Sequence, residues 1–170
     1  MALLQVNTFS QALSRIITFH IILPNDAPPE MLAGNSNYDR PMKTLYLLHG
    51  FSGSTQDWLT GSLIQELALK YNLAVVMPAG ENSFYLNGKG TGRGYETFTA
   101  VELPAYCQKT FGLSAGRQLY RWIVHGWIWS NSYSIKISGI FRKNVWLVLS
   151  PDRERNQRDE AGKPQRYCRL

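Results

Sequence analysis

Residues 44–58 read TLYLLHGFSGSTQDW, and residues 73–77, shortly after, read LAVVM. Both apolar runs are too short for a helix and lack the polar alternation of a half-solvated strand, so each is expected to be a strand buried on both faces. Between them Leu63, Ile64, Leu67, Ala68 and Tyr71 recur at helical spacing, which predicts an amphipathic helix over 60–71. Strand, loop, helix, strand is a right-handed βαβ crossover and implies a parallel sheet with helices on its faces.

Upstream, residues 2–7 and 14–23 have strand-like content, the second around Ile16, Ile17, Phe19, Ile21 and Ile22, and together they predict an antiparallel opening hairpin. Pro, Asn, Asp and Gly crowd residues 25–41, which predicts an exposed loop. Downstream, residues 80–94 form a Gly- and Asn-rich loop long enough to be functional. Phe98, Val101, Leu103, Tyr106 and Cys107 then predict a helix over 97–111, with Pro104 tolerable only near its first turn.

The chain of 170 residues carries 18 Lys+Arg against 12 Asp+Glu, a net charge of +6 that by itself suggests an anionic partner. The distribution is uneven. Residues 1–115 hold 7 basic and 8 acidic side chains, whereas residues 116–170 hold 11 and 4, together with four of the five tryptophans. Such a tail could bind nucleic acid through phosphate contacts and stacking. Arg and Trp are also frequent products of out-of-frame translation, and nucleic acid is not the expected partner. No charged segment followed by an apolar one opens the chain, and no apolar run is long enough to span a bilayer, so a cytoplasmic protein without a membrane partner is expected. Cys107 and Cys168 make neither a disulfide framework nor a metal site, and no metal or cofactor is expected.

The strings LYLLHGFSGSTQDW, LAVVMPAGENSFY, GRGYETF and ELPAYCQKTFGLS, which run in order through residues 1–115, resemble the small cytosolic acyl esterases of the tributyrin esterase and esterase D type. These are α/β-hydrolases related to S-formylglutathione hydrolases. The resemblance implies the N-terminal, incomplete part of an α/β-hydrolase fold, with the antiparallel hairpin followed by βαβ units of a mainly parallel sheet. It also implies two-step acyl transfer on a small-molecule acyl ester: an activated serine attacks the carbonyl, and backbone N–H groups stabilise the charge that grows on the oxygen. In such folds one donor follows a His-Gly pair after the third strand. By resemblance the Phe51 N–H is that donor, Gly50 and Gly53 let the backbone approach closely, and His49 orients the loop rather than acting as a base. Asp57, Trp58, Asn82, Ser83, Phe84 and Tyr85 match segments near the acyl pocket and are candidates for lining it.

The nucleophile itself is missing. Residues 119–130 read LYRWIVHGWIWS, and because tryptophan has the single codon TGG, a frame starting one nucleotide later places glycine beneath Trp122, Trp127 and Trp129. With permitted codons that frame reads FIAGLSMGGYGA, which contains the G-x-S-x-G nucleophile elbow. Val124 stands where the elbow serine belongs, and His125 where the second oxyanion donor belongs. A frame change at Ala115 or Gly116 is therefore expected, dividing the chain into an α/β-hydrolase part, 1–115, and a poorly structured out-of-frame tail, 116–170. The triad Asp and His would lie beyond it, so the family is a serine carboxylesterase for short-chain esters and this chain is expected to be inactive. An acyltransferase of the same fold, or a non-catalytic module with a nucleic-acid-binding tail, are the alternatives.

Other candidates have plain readings. His20 alternates with apolar strand residues and is expected to be a satisfied structural histidine; Ser52 and Ser54 lie in a turn and are not expected to be nucleophiles. The stretch GKGTGRG at 88–94 lacks the G-x-x-x-x-G-K-[ST] order of a phosphate-binding loop.

Overall fold

The computed structural model describes residues 1–114, 119–123 and 145–148. Strands β1 (Ala2–Ser10), β2 (Arg15–Leu23), β3 (Lys43–Leu48), β4 (Leu73–Pro78), β5 (Leu119–Ile123) and β6 (Val145–Val148) form one mixed sheet in the order β1-β2-β4-β3-β5-β6. The two decisive runs pair in parallel from Lys43↔Leu73 to Tyr46↔Val76, as the crossover requires. β1 and β2 form the expected antiparallel hairpin, longer than anticipated in its first strand, and β2 joins β4 antiparallel from Phe19↔Pro78 to Ile22↔Val75.

β4 is buried almost from end to end because helices cover both faces of the sheet. On one face Val75 and Met77 pack with Ile22, Leu47, Ile64 and Ala68. On the other Ala74 and Val76 pack with Phe19, Tyr46, Phe98, Leu103 and Cys107. Phe19 is fully buried, with Tyr106 and Phe111 edge-on at 5.9 and 6.5 Å.

The helices depart from the expected ranges for identifiable reasons. A short α1 (Pro29–Leu32) and a 3-10 turn (Ser36–Tyr38) interrupt the loop at 25–41, and the buried Asn72 side chain anchors that loop by donating to the carbonyls of Asn37 and Arg40. The helix expected over 60–71 is two: α2 (Asp57–Gly61) and α3 (Ile64–Tyr71), separated where Ser62 is extended. Only Ile64 and Ala68 of α3 are buried; Leu63, Leu67 and Tyr71, one step round the helix, stay exposed. Beyond the long loop the chain is helical from α4 (Tyr95–Thr97) through a π-helical turn (Phe98–Glu102) to α5 (Leu103–Phe111). The widened turn ends one residue short of Pro104, which lies in the first turn of α5 and has no N–H with which to continue the ladder. His20 is buried, yet its Nδ1 has no hydrogen-bond partner, so it is not the satisfied histidine expected, and burial lowers its pKa.

In the stretch 116–170, two segments are described and both are strands. β5 lies parallel to β3 from Leu45↔Leu119 to Leu48↔Trp122, and β6 lies parallel to β5. The residue types concerned, Leu119, Tyr120, Trp122 and Ile123, then Val145 to Val148, favour extended backbone and complete the open edge of β3. Val124 and His125 lie outside the described residues.

The π-helical turn has a structural use. The Glu102 carboxylate accepts from the Ser10 hydroxyl at 2.5 Å and from the Gln11 N–H at 2.6 Å, fastening the β1–β2 turn to the helix 90 residues later in the chain. Glu102→Ala leaves these donors without their acceptor and is expected to lower unfolding stability by about 1–3 kcal/mol; an unchanged urea midpoint would show the clamp to be dispensable.

Candidate active site

β3 delivers the chain to His49, which is buried with 2% exposure. The Gly80 N–H, just past the end of β4, donates to His49 Nε2 at 2.9 Å, so the ring proton sits on Nδ1, which donates to the Gly50 carbonyl at 2.8 Å. Both ring nitrogens are thus engaged with backbone, and neither is available to activate Ser52 or Ser54. The Ser54 hydroxyl is itself bound, donating to Asp57 Oδ1 at 2.8 Å.

The loop after β4 supports His49 from beneath. The Tyr85 hydroxyl accepts from the His49 N–H at 3.1 Å and donates to the Pro78 carbonyl at 3.3 Å. Its ring leaves no space beside Gly80, where a Cβ would fall 2.2 Å away. Reaching this position requires left-handed backbone at Glu81, Phe84 and Tyr85, with φ of 47°, 54° and 56°. Such conformations cost about 1–3 kcal/mol each and survive where the surroundings over-determine them. Here Ser83 does so, its N–H donating to the Gly80 carbonyl at 3.2 Å and its hydroxyl accepting from the Tyr85 N–H at 3.0 Å.

The loop at 49–54 is held on both sides of Phe51. Gly53 N–H donates to the Gly50 carbonyl at 3.0 Å, and a Cβ at Gly53 would fall 2.3 Å from an Asp57 carboxylate oxygen. Ser52, with φ of 61°, donates its N–H to Asn82 Oδ1 at 2.8 Å. The Ser54 N–H donates to Asp57 at 3.0 Å, and the Trp58 indole N–H to the Leu48 carbonyl at 3.3 Å. Among the described residues the N–H groups of Gly50 and Phe51 find no acceptor. The Phe51 side chain is 49% exposed and stacks on Phe84 with centroids 5.3 Å apart.

The residues proposed to line an acyl pocket therefore divide. Tyr85, only 3% exposed, lies beneath the loop, and Asp57 and Trp58 brace it from the far side. Asn82 and Ser83 line an open cleft of about 880 Å³ that also takes in Arg15, Glu81, Arg93 and Tyr95. Arg15, Glu81 and Tyr95 are not among the residues singled out from sequence; Tyr95 lies in the GRGYETF string, Glu81 in LAVVMPAGENSFY and Arg15 in neither. They form a closed network: Arg15 donates to Glu81 and to the Tyr95 hydroxyl, and Tyr95 donates to Glu81 at 2.7 Å. These bonds, the one from Tyr95 first, hold the Glu81 carboxyl below its usual range.

Several hydroxyls and a thiol ionise late in this fold. Burial, and then the bond to Glu81, pushes Tyr95 up to about 12; burial pushes the Cys107 thiol up to about 12 and the Tyr85 hydroxyl far above its ordinary value. Their ordinary values are 9.0 for the thiol and 10.0 for the hydroxyls. Between those values and the folded ones the unfolded chain binds fewer protons than the native one. Stability is thus whole below about pH 9 and falls as pH rises toward 12. Thermal melts over this window should show a steady drop in midpoint, and a flat profile would contradict the burial assigned to these groups.

Among the described residues no three His, Cys, Asp or Glu side chains are grouped to hold a metal, and no helix is long and apolar enough to cross a membrane. The family model "Esterase" matches residues 10–124. An acetyl esterase of Caldicellulosiruptor saccharolyticus is 37% identical over 118 residues, which are 69% of this chain and 44% of that protein. Among solved structures, FphF, a fluorophosphonate-binding serine hydrolase of Staphylococcus aureus, matches with a TM-score of 0.58 at 27% identity, over 72% of this chain and 47% of its own. The S-formylglutathione hydrolase FrmB of Staphylococcus aureus shares the fold, with a TM-score of 0.57 at 24% identity over 72% and 47%. The chain spans less than half the length of each of these relatives. With the matched segment running from the end of β1 through β5, the chain belongs to the esterase family of α/β-hydrolases.

Proposed function

We propose that the loop at 49–54 is the oxyanion loop of a serine carboxylesterase for short-chain acyl esters, and that this chain carries the loop without the nucleophile. The observation that carries the first half is the amide arrangement. His49, Ser52 and Gly53 have their N–H groups bound, while that of Phe51, between them, is left to a ligand. An ester carbonyl accepting from Phe51 would find a donor that needs no rearrangement as negative charge develops, the condition for electrostatic stabilisation. The second donor, the nucleophile and the triad Asp and His belong to sequence beyond β5.

Support for the second half comes from position. β5 runs parallel to β3 with Trp122 opposite Leu48, so both strands end toward the same edge of the sheet. The residue that follows β5 in the sequence is Val124, whose side chain has neither a nucleophilic atom nor a proton to give. A change of frame at Ala115 or Gly116 accounts for the substitution, for the basic, Trp-rich composition of residues 116–170 and for the serine elbow legible in the other frame.

Sequencing the coding DNA across the Ala115 codon tests the frame directly; stop codons in the second frame ahead of a triad Asp and His would sink the idea. This chain should release p-nitrophenol from p-nitrophenyl acetate only at background rate, whereas the frame-restored chain should turn it over and lose activity to a fluorophosphonate. In the restored enzyme Asn82→Ala frees the Ser52 N–H and is expected to lower kcat about tenfold with KM little changed, since a loosened oxyanion donor acts on the transition state.

A further inference from the structure

We propose that the cleft beside the oxyanion loop is an anion subsite, in which Arg93 and the glycine-rich turn after Asn87 grip a phosphate or carboxylate carried by the ester substrate. Its use in catalysis rests on the esterase reading above; the binding itself does not. Without the order of a P-loop, residues 88–94 gave no reason to expect such a site, but their folded form does.

The turn is built, not slack. Gly88 N–H donates to the Arg93 carbonyl at 2.9 Å, and Asn87 bridges Gly94 across its neck. Gly90 and Gly92 take φ of 101° and 73°, a region other residues rarely adopt. A Cβ would fall 2.9 Å from the Leu13 carbonyl oxygen at Gly92 and 2.8 Å from that of Ala12 at Gly94, so the turn is seated against the β1–β2 hairpin. The Arg93 stem lies across Gly88, where a Cβ would meet its Cδ at 3.1 Å. Among the described residues the N–H groups of Lys89, Gly90, Thr91 and Gly92 have no acceptor. Consecutive unpaired amides in a glycine-rich turn form a concavity suited to an anion.

The charges agree. Glu81 is the acidic residue lining the cleft, and Arg15 and Tyr95 already bind its carboxylate. Among the described residues the Arg93 guanidinium has no such partner, which leaves a planar fork of donors for an oxyanion. Asn82 lines the same cleft and holds Ser52, the neighbour of Phe51. Asn82 thus joins the cleft to the loop that carries Phe51, and the size of the cleft falls within the range of small-molecule sites.

Calorimetric titration of the 170-residue chain with inorganic phosphate, and separately with acetate, at ionic strength fixed by chloride, tests this. Saturable phosphate binding is expected, weakened at least about tenfold by Arg93→Gln, the scale of one charge-assisted hydrogen bond. Arg93→Lys should recover part of the affinity, and Lys109→Gln, on exposed α5 surface, should change nothing. Acetate binding with the same Arg93 dependence would extend the subsite to carboxylates, and phosphate binding alone would restrict it to phosphate esters. No saturable binding of either anion, or binding indifferent to Arg93→Gln, overturns the proposal. Anion binding by a frame-restored chain that leaves p-nitrophenyl acetate intact would count against the esterase reading alone. Hydrolysis without anion binding would count against the cleft alone.

Discussion

The hydrogen bond from the Gly80 N–H to His49 Nε2 joins the loops that leave the ends of β3 and β4. Most of the site's geometry depends on it. It fixes one neutral tautomer of the ring, directs the Nδ1 proton to the Gly50 carbonyl, and so shapes the turn that leaves Phe51 with an unbound N–H. The parallel pairing of β3 and β4 sets the two loops side by side, and burial of both sheet faces sets the pairing. The chain of cause thus runs from two apolar pentapeptides to the direction of a single amide. Tyr85 supports this bond from below and Asn82 from the side, which is why three left-handed residues are tolerated within five positions.

Much of the fold is legible in local pattern. The runs at 44–48 and 73–77 could be little else than doubly buried strands, and the hairpin is legible in its strand-forming residues, although β2 is buried on both faces from Phe19 to Leu23 rather than on alternate residues. What the sequence hides is breaks and partners. Nothing in the periodicity of 60–71 marks the extended Ser62, because a break of two residues leaves the apolar spacing nearly intact. Pro104 announces trouble in a helix, but only the structure shows it absorbed by a wider turn rather than by an end. Phe51, Gly53 and His49 could be placed by their order along the loop. The work done by Asp57, Trp58, Asn82 and Tyr85 could not, since residues that brace a loop and residues that line a pocket look alike in one dimension.

The tail makes the same point from the opposite side. Strand formation at 119–123 asks only for extended-favouring residues opposite the open edge of β3, and LYRWI meets that demand as well as an esterase strand would. Chemistry is less permissive. A strand can be rebuilt from many sequences, whereas a nucleophile elbow needs one hydroxyl at one position. On the proposed reading, family membership and catalytic competence separate in this chain, because the backbone tolerates what the mechanism does not.

The most direct test of the site is amide hydrogen exchange read residue by residue by NMR on the intact chain. The N–H groups of His49, Ser52 and Gly53 should be protected by their acceptors, and that of Phe51 should exchange orders of magnitude faster in the midst of them. Protection of Phe51 comparable to that of Ser52 would mean the amide is already bound, and that the loop is no oxyanion hole.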